Sequence, residues 1–342
     1  MTSKTDWTLA EQELHRAMVG GHRHSPQGAG LRSLGSSGRS LNVDVFRDVT
    51  GYSPEDLVVT VGAGIRLSQL NALLEKHRQW VPLEPVDAGD DSLGGAIAVG
   101  LNGWYCQSYG PLRDRVLGMR VVTPAFGPIF IGSKVVKSVA GYNLTRLFSG
   151  TRGSLGVITE VTLKVSPRPY HEWIWALPCR SEELSREVHR LQSLTPDFRV
   201  LAIMQSAPAE AQIVIASHGP ALAQSLVDQL GEPSHSALPS LITDPDGMLV
   251  QGAVPRTRIF DLCHIWPDFQ PVQMDCLSGR FFGSLKDDLW PGLEHQIHDL
   301  GGHGRVLRSA HKGMAATDHI DPLWDTVKKQ YDPDGCLVDF WR

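Results

Sequence analysis

Three separated glycine-rich stretches are the part of this sequence whose residue types point most directly to chemistry. They cover residues 28–30, 94–103 and 153–156. Main-chain N–H groups are exposed in such turns, and an extended anionic ligand needs such groups along its pyrophosphate. The alternative is three unrelated turns. Because the predicted helices between the stretches are poor in glycine, the pattern favours one long ligand.

The third stretch joins a short predicted helix to a predicted strand. Residues 144–149 fit the helix, with Asn143 near its N-cap and Gly150 as its left-handed stop. Polarity then alternates along the chain, which predicts a strand. The face predicted to enter the core carries Val157, Thr159, Val161, Leu163 and Val165. Gly153 and Gly156 lie where this strand begins, and without side chains they let a flat group approach the main chain.

The segment LVVTVGAGIRLSQLNALL imitates a dinucleotide-binding fingerprint, because G-x-G follows a strand and opens a helix. Leu67, however, occupies the third glycine position, where it holds helix and strand apart. Pro82 and Pro85 interrupt the strand that should carry the acidic residue. No G-x-x-x-x-G-K-[ST] motif occurs either. The sequence therefore argues against a Rossmann site, a P-loop and a free-standing NAD enzyme.

Bulk composition narrows the class of protein further. A chain of 342 residues exceeds the size at which one core keeps growing, so two domains are expected. The net charge of -5 argues against broad nucleic-acid or anionic-membrane binding. No apolar run approaches the roughly 20 residues that span a bilayer, which predicts no transmembrane segment.

Cysteine and histidine spacing predicts no metal centre. The five cysteines are scattered without a C-x-x-C pair, which is typical of reduced thiols in a cytosolic protein and argues against an iron–sulfur cluster or zinc knuckle. His295 and His298 lie three apart on a predicted helix, but no third ligand is evident nearby. A solvated helix face is the favoured interpretation of that pair.

Periodicity predicts an α+β fold. The pattern of predicted strands and helices changes at a proline-rich segment, residues 166–170. Before it, LNVDVF predicts a strand, TGYSPED a turn and GMRVVTPAFGPIFIG a hairpin. After it, the order β-α-β-β-α indicates a ferredoxin-like α+β domain, and residues 233–270 receive no assignment. The predicted division is 1–170 for a ligand-binding domain, 171–303 for a cap, and 304–342 for a segment that returns to the first domain.

Several motifs in one order carry a resemblance to a known family. They are YSPEDLVVTVGAG, QWVPLEPVDAGDDSLGGAIAVGLNG, YGPLRDRVLGMRVV and SVAGYNLTRLFSGTRGSLGVITEVTLKVSPRP, with LGGHGRVLRSA and YDPDG near the end. Together they resemble FAD-linked oxidases of the vanillyl-alcohol-oxidase/p-cresol-methylhydroxylase (PCMH) type, and among these the smaller FAD-binding subunits of bacterial glycolate oxidases. The resemblance implies a two-subdomain PCMH-type FAD-binding domain with an α+β cap.

The resemblance also implies which residues contact FAD. Gly28 and Gly30 correspond to the pyrophosphate loop, and Ser154 belongs to the segment that lines the flavin. The full implied set is Gly28, Gly30, Pro85, Gly94, Gly95, Gly103, Tyr109, Gly110, Asp114, Gly153, Ser154, Gly156, Val157 and Ile158. No histidine stands inside the pyrophosphate loop, and His22 and His24 lie upstream of it, so non-covalent FAD is expected.

The activity implied by the resemblance is oxidation of a 2-hydroxy acid, glycolate or D-lactate, by hydride transfer to flavin. The general base receives no assignment. Arg180, Arg256, His264 and Arg280 lie in the cap region and have the chemistry to meet a carboxylate, although a surface role is favoured for each. The implied partners are a larger FAD subunit and an iron–sulfur subunit. The implied location is cytoplasmic, either free or held at the inner face of the membrane through those partners.

Three departures from the family pattern keep a second function open. The chain closes on CLVDFWR instead of Asn-Pro-Gly-Arg, Asn143 stands where Asp is usual, and the pyrophosphate loop is degenerate. These departures fit a non-catalytic assembly or electron-relay subunit that keeps the fold with a weakened FAD site.

Overall fold

The computed structural model describes residues 7–20, 22–27, 38–84, 90–133, 143–194, 197–207, 210–235, 237–241, 247–267, 270–309 and 323–339. Within these ranges the chain forms two main sheets with helices packed on them. The two sheets are joined through a shared apolar core that takes side chains from both.

The first half of the chain builds an antiparallel five-stranded sheet with helices around it. Its elements are α1 (Thr8–Met18), β1 (His24–Gln27), β2 (Arg39–Asn42), β3 (Val49–Ser53), β4 (Val58–Gly62), α2 (Leu67–Leu74), β5 (Gln79–Trp80), α3 (Leu93–Val99), α4 (Cys106–Tyr109), β6 (Val116–Thr123), β7 (Gly127–Gly132), α5 (Leu144–Phe148), β8 (Val157–Lys164) and β9 (Ser166–Pro167). The strand order is β3-β4-β8-β6-β7. Strands β1 and β2 form a separate parallel pair, and β5 pairs with β9.

Helix α1 is tied to this sheet by a buried carboxylate. Glu11 is fully buried and accepts hydrogen bonds from the Arg120 guanidinium of β6, at 2.9 Å from Nε, and from the Thr159 hydroxyl of β8 at 2.6 Å. Trp7 packs edge-on against Phe46, with ring centroids 5.5 Å apart. The helix therefore closes one face of the sheet with both an apolar and an ionic contact.

The second half builds a seven-stranded sheet in which every neighbouring pair is antiparallel. Its elements are β10 (Trp173–Arg180), α6 (Leu184–Leu194), β11 (Val200–Ala207), β12 (Glu210–Ser217), α7 (Pro220–Leu230), β13 (Met248–Ala253), α8 (Ile259–Ile265), β14 (Val272–Asp275), β15 (Arg280–Leu285), α9 (Trp290–Asp299), β16 (His303–Arg308) and α10 (Leu323–Tyr331). The strand order is β10-β12-β11-β14-β15-β13-β16.

This larger sheet is buried on both faces. Met248 and Val250 of β13 pack into the cluster formed with the helices, whereas Leu249 between them enters the core shared with the first sheet. Successive residues of a strand point to opposite faces, so a strand covered on both sides has no polar face to reveal it. This is why residues 233–270, which include β13 and α8, could not be assigned from polarity.

The predicted order β-α-β-β-α is confirmed from β10 to α7, and the predicted hairpin is confirmed as β6 and β7. The predicted turn at TGYSPED is wrong at its start, because residues 49–53 form strand β3 and the chain turns only afterwards. The predicted strand LNVDVF is shorter than expected, since β2 ends at Asn42. The Asn42 side chain accepts a hydrogen bond from the Asp44 main-chain N–H at 2.8 Å, which turns the chain there.

The predicted alternation along β8 is wrong at its first residues. Thr159 is an extra residue in the pairing with β6, because Arg120 pairs with Glu160 while Val121 pairs with Ile158. Such a bulge shifts the phase of all side chains on one side of it. Ile158 thereby joins Val161 and Leu163 in the main core, and Val157 packs instead with the α1 side.

The end of the chain contributes to both sheets. Strand β16 pairs with β13 at the edge of the larger sheet. Helix α10 then packs on the first half, where Tyr331 meets Phe148 at 5.2 Å between ring centroids. Beyond it, Leu337 bridges to His24 of β1. The division of the chain at residues 170 and 303 stays a prediction.

Candidate functional site: a cationic cavity between the two sheets

A cavity of about 870 Å³ lies between the two halves of the chain. The first half supplies the end of α3, the turn before β6 and the residues after α5 to its wall. The second half supplies β13, the start of β15, one face of α9 and β16. Its wall includes Gly100, Arg113, Gln251, Arg280, His303 and Arg305.

Hydrogen bonds across the cavity wall hold the two halves together at the end of α3. Gly100 ends that helix in a left-handed conformation, with φ of 61°. Its carbonyl oxygen accepts hydrogen bonds from Arg305 at 2.5 Å and from the Gln251 side-chain amide at 3.0 Å. The Gln251 oxygen accepts a further bond from the Asn102 N–H at 3.0 Å. A helix C-terminus carries partial negative charge, so a guanidinium is stabilised there.

The register of the larger sheet places the polar side chains of the cavity in two rows. Gln251 of β13 pairs with Arg305 of β16, and two residues further Ala253 pairs with His303. Ala253 also pairs with Arg280 of β15 on its other side. Directly paired residues share a face, and so do residues two apart. Arg280 and His303 therefore flank Ala253 on the cavity side, beside the Gln251–Arg305 row.

The cavity has an excess of cationic groups. Burial and the neighbouring Arg113 lower the pKa of Arg305 to about 10. Burial, then Arg305 and Arg280, lower the pKa of His303, which favours the neutral imidazole. Burial raises the pKa of Cys106 to about 11 although the Arg280 guanidinium lies 2.9 Å from its sulfur, so the group there is a thiol. Such an arrangement of guanidinium groups suits a carboxylate ligand.

A second polar cluster lies beside the cavity, around helix α4. Tyr105 and His218 both hydrogen-bond to the Glu172 carboxylate, the latter at 2.7 Å, and the Tyr109 hydroxyl lies 3.1 Å from the other His218 nitrogen. Trp80 packs edge-on against both tyrosines, at 5.1 and 5.8 Å between centroids. Because Glu172 and His218 belong to the second half of the chain, this cluster fixes α4 against that half.

The structure brings the second and third glycine-rich stretches together and places Pro26 beside them. The Gly150 N–H donates to the Ile97 carbonyl at 3.0 Å, and the Arg152 N–H to the Ala98 carbonyl at 2.8 Å, which joins the second stretch to the third. A Cβ at Gly153 would lie 2.7 Å from Pro26, two residues before the first stretch. Three segments far apart in sequence thus converge, as one extended ligand requires. Gly28, Gly30 and Pro85 themselves lie outside the described residues.

Several of the predicted contact glycines make room for protein atoms. A Cβ at Gly94 would lie 2.6 Å from the Ala63 side chain, and one at Gly103 would lie 2.2 Å from the Glu84 carbonyl oxygen. At Gly156 it would meet Val121 at 2.6 Å. The Gly95 N–H donates to the Ser92 hydroxyl that caps α3, at 3.3 Å. The absence of these side chains is therefore explained by packing inside the fold.

Other predicted contacts keep free space or free hydrogen-bonding capacity. Gly110 has a φ of 80° and no atom within 4 Å of where its Cβ would lie. Ser154 is fully buried, and its hydroxyl has no hydrogen-bond partner among the described residues. A buried hydroxyl without a partner costs free energy unless a ligand satisfies it. Asp114 is partly exposed and pairs with Arg146 at 3.0 Å. The open space at Gly110 and the unpartnered Ser154 hydroxyl fit a bound cofactor.

Of the four residues that the sequence offered for binding a substrate carboxylate, one lies in the cavity and three lie on the surface. Arg280 lines the cavity, whereas Arg180, Arg256 and His264 are exposed. His295 is also exposed, on the rim, where it lies 3.8 Å from Asp299. Sequence reasoning missed His303 and Arg305. The available signal was their spacing of two residues at the start of a strand, which places both side chains on one face.

Known proteins similar to this chain in sequence or in structure point to FAD binding. The family described as "FAD binding domain" matches residues 7–130. In structure, the chain is similar to alkyldihydroxyacetonephosphate synthase, with a TM-score of 0.65 at 15% identity, over 97% of this chain and 75% of the other. The chain has the fold of PCMH-type FAD-binding proteins, and FAD is its cofactor.

Among curated proteins, the chain is similar to glycolate oxidase subunit GlcE of Escherichia coli, at 42% identity over 134 residues, which is 39% of this chain and 38% of GlcE. It is also similar to a mitochondrial D-lactate dehydrogenase of Arabidopsis thaliana, at 35% identity over 45% of this chain and 25% of the relative. A third relative is glycolate oxidase subunit GlcD of Bacillus subtilis, at 32% identity over 42% of this chain and 32% of the relative. The aligned part spans less than two fifths of each of these three relatives. None of the helices in the described part of the chain combines the length and the apolar character that crossing a bilayer requires.

Proposed function

We propose that this chain is the FAD-binding subunit of a glycolate-oxidase-like complex and that it oxidises a 2-hydroxy acid in the cavity between its two halves. The observation that carries the proposal is the cationic cavity: Arg113, Arg280 and Arg305 line one space between the first and second halves of the chain. A 2-hydroxy acid needs a carboxylate-binding group beside the flavin, and guanidinium groups in a partly buried wall supply it.

Each part of the site has a defined role in this proposal. Bound FAD supplies the acceptor for the hydride that leaves the substrate Cα. Arg280 and Arg305 bind the substrate carboxylate, which fixes the orientation of the Cα–H bond. The side chain of Gln251 and the Gly100 carbonyl hold Arg305 in place. The larger sheet forms one wall of the cavity, and the burial of Arg305 there strengthens its ionic contacts.

The unpartnered hydroxyl of Ser154 is proposed as a direct FAD contact. The main chain of Ser154 is fixed by helix α10, because Lys328 donates to the Ser154 carbonyl at 2.5 Å and to Asp332 at 2.6 Å. The main chain around Gly110 is a second proposed contact, since nothing in the described part of the chain fills the space beside it. The remaining implied FAD contacts, from Gly28 to Ile158, stay proposals of the same kind.

The proposed partners are a larger FAD subunit and an iron–sulfur subunit that receives the electrons. Two of the relatives are named as glycolate oxidase subunits. The five cysteines of this chain lack the spacing of a cluster site, so the next one-electron carrier has to belong to another chain. Glycolate is the first candidate substrate and D-lactate the second, by the names of the relatives. A cytoplasmic site of action, with attachment to the membrane only through partners, belongs to the same proposal.

The alternative is a non-catalytic assembly or electron-relay subunit. Its support is the altered pyrophosphate loop and C-terminal ending, together with the many bonds that fix the cap to α3 and α4. A cap fixed in this way also suits a rigid surface for other subunits.

Flavin absorbance separates these functions. The purified chain is loaded with FAD, freed of excess flavin, and mixed without oxygen with glycolate or D-lactate. Bleaching by the chain alone supports an autonomous oxidoreductase, and bleaching only after the partner subunits are added supports the complex. Failure to retain FAD at all would rule out the catalytic proposal and leave the assembly role.

A further inference from the structure

We propose that His303 accepts the hydroxyl proton of the substrate, and that the carboxylate of the same substrate makes His303 a stronger base by neutralising Arg280 and Arg305. This inference rests on the proposed function, because it concerns the same cavity. It assigns the base that the sequence left unassigned, and it adds a coupling between substrate binding and proton affinity.

The geometry places His303 beside the carboxylate-binding groups. His303 begins β16, and Arg305 lies on the same face of that strand two residues later. Arg280 lies two strands away in the same row, with Ala253 between them. Neighbouring strands are roughly 5 Å apart, so the two main chains are separated by about 10 Å. A small 2-hydroxy acid can therefore bridge the arginines and the imidazole.

The charges around His303 determine whether a bound carboxylate raises or lowers its pKa. In the protein without substrate, burial and the two guanidinium groups lower the pKa of His303, so the imidazole is neutral and able to accept a proton. A bound carboxylate offsets the charge of Arg280 and Arg305. The pKa of His303 then rises toward its ordinary value, and its affinity for the hydroxyl proton increases at the moment when the substrate arrives.

Other titratable groups face the same space and define the controls. The charged or titratable side chains that line the cavity with His303 are Arg113 before β6, Arg280 of β15, Arg305 of β16, and Glu294, His295 and His298 of α9, and a small adjoining pocket that shares Arg280 adds Cys106 of α4 and Asp275 of β14. His295 and His298 are the other imidazoles that line this cavity. Substitution of His295 and His298 is therefore the matched control for substitution of His303.

The proposed step balances in atoms and electrons. The Cα–H bond would break with its electron pair, and this hydride equivalent carries two electrons, for which bound FAD would be the acceptor. The hydroxyl O–H bond breaks heterolytically, its proton moves to the free ring nitrogen of His303, and the oxygen electrons form the second C–O bond of the 2-oxo acid. His303 afterwards returns the proton to solvent, for which its position at the exposed end of the strand is suited.

The first test measures the coupling without any chemistry. Oxalate, a carboxylate probe with no Cα–H bond, is titrated into the FAD-loaded protein by calorimetry in two buffers of different ionisation enthalpy. We expect proton uptake on oxalate binding by the wild type. The uptake should disappear in His303→Gln, which still binds oxalate, and should persist in His295→Gln and His298→Gln. Unchanged uptake in His303→Gln, or no oxalate binding by the wild type, would overturn the inference.

The second test measures the base itself. The rate of flavin reduction by a 2-hydroxy acid is followed across the range in which imidazole titrates. In the wild type this rate should rise with pH through one inflection. In His303→Gln it should fall by about 10²–10⁴-fold and lose that inflection, as expected for removal of a general base. A variant that keeps the inflection would exclude His303 as the base. If no 2-hydroxy acid reduces the flavin while oxalate uptake still depends on His303, the proposed function fails and only the anion site remains.

Discussion

Arg152 and Arg305 cross the boundary between the two halves of the chain in opposite directions. Arg152, buried in the first half with a φ of 56°, donates to the carbonyl oxygens of Val306 and Leu307 on β16. Arg305, on the same strand, donates to the carbonyl oxygen of Gly100. Strand β16 carries Arg305, the proposed carboxylate-binding residue, and His303, the proposed proton acceptor. Guanidinium–carbonyl hydrogen bonds therefore attach this strand to the first half of the chain in both directions.

Replacing Arg305 should reveal how much this crossing stabilises the closed arrangement. Arg305→Met removes a charged donor from the Gly100 carbonyl, and hydrogen bonds of this kind contribute about 1.5–3 kcal/mol. The burial that lowers the pKa of Arg305 also penalises its charge in the folded protein, so we expect the free energy of unfolding, measured in urea, to fall by less than that amount, and oxalate affinity to fall as well. Arg258→Met is the matched control, because the one ion pair of Arg258 within the described ranges is with Asp261 on the exposed side of α8. A change of the same size in both variants would contradict the assignment.

Ser154→Ala tests the proposed FAD contact separately from folding. Because the Ser154 hydroxyl is buried without a partner in the described part of the chain, its removal should leave the stability of the flavin-free protein unchanged or slightly higher. If FAD uses this hydroxyl, the dissociation constant of FAD should rise about tenfold, as the loss of one hydrogen bond implies. Ser149→Ala is the control, since its hydroxyl already donates to the Thr145 carbonyl at 2.8 Å. Equal FAD affinity in wild type and Ser154→Ala would rule the contact out.

Gly156→Val is expected to act on the fold first. The new Cβ would lie 2.6 Å from Val121 and 3.1 Å from the Val122 carbonyl oxygen, between two paired strands. Overpacking of this kind costs about 1–3 kcal/mol. Thermal unfolding of the flavin-free protein should therefore already show the loss. A variant that melts like the wild type but no longer retains FAD would show that the glycine serves the flavin directly.

Asp275→Asn gives a pH-dependent prediction. Burial raises the pKa of this carboxyl, although the Leu277 N–H and Ser278 donate to it. A carboxyl whose pKa is higher in the folded than in the unfolded state binds more protons when folded, so stability falls as pH rises from the unfolded to the folded pKa. Above both values the penalty stays constant. Asp275→Asn removes it, since asparagine keeps an acceptor for the Leu277 N–H.

The measurement is the free energy of unfolding of both proteins from acid to neutral pH. Asp275→Asn should be more stable than the wild type at neutral pH, and the two curves should converge as the carboxyl becomes protonated. Asp261→Asn, at an exposed position, should show no such gain. A constant difference at all pH values would show that burial of the Asp275 charge is not its cause.

Local patterns in the sequence were enough to assign the fold class and the type of ligand. Glycine spacing pointed to an extended anionic ligand, the order of motifs from Tyr52 to Pro169 pointed to a PCMH-type FAD-binding domain, and element order pointed to an α+β cap. Each of these signals is local, because turns, caps and short strands depend on residues only a few positions apart. The hairpin of β6 and β7 and the helix that begins at Leu67 could be assigned for the same reason.

The contacts between side chains that are distant in sequence could not be assigned before the fold was known. The bulge at Thr159 reverses the faces of β8, and strand β13 is hidden in sequence because both its faces are buried. His303, Arg280 and Gly100 are far apart along the chain, and they share a cavity because sheet register and two crossing arginines bring them there. Register and domain contact are fixed by packing of distant residues, for which a single sequence holds no local signal.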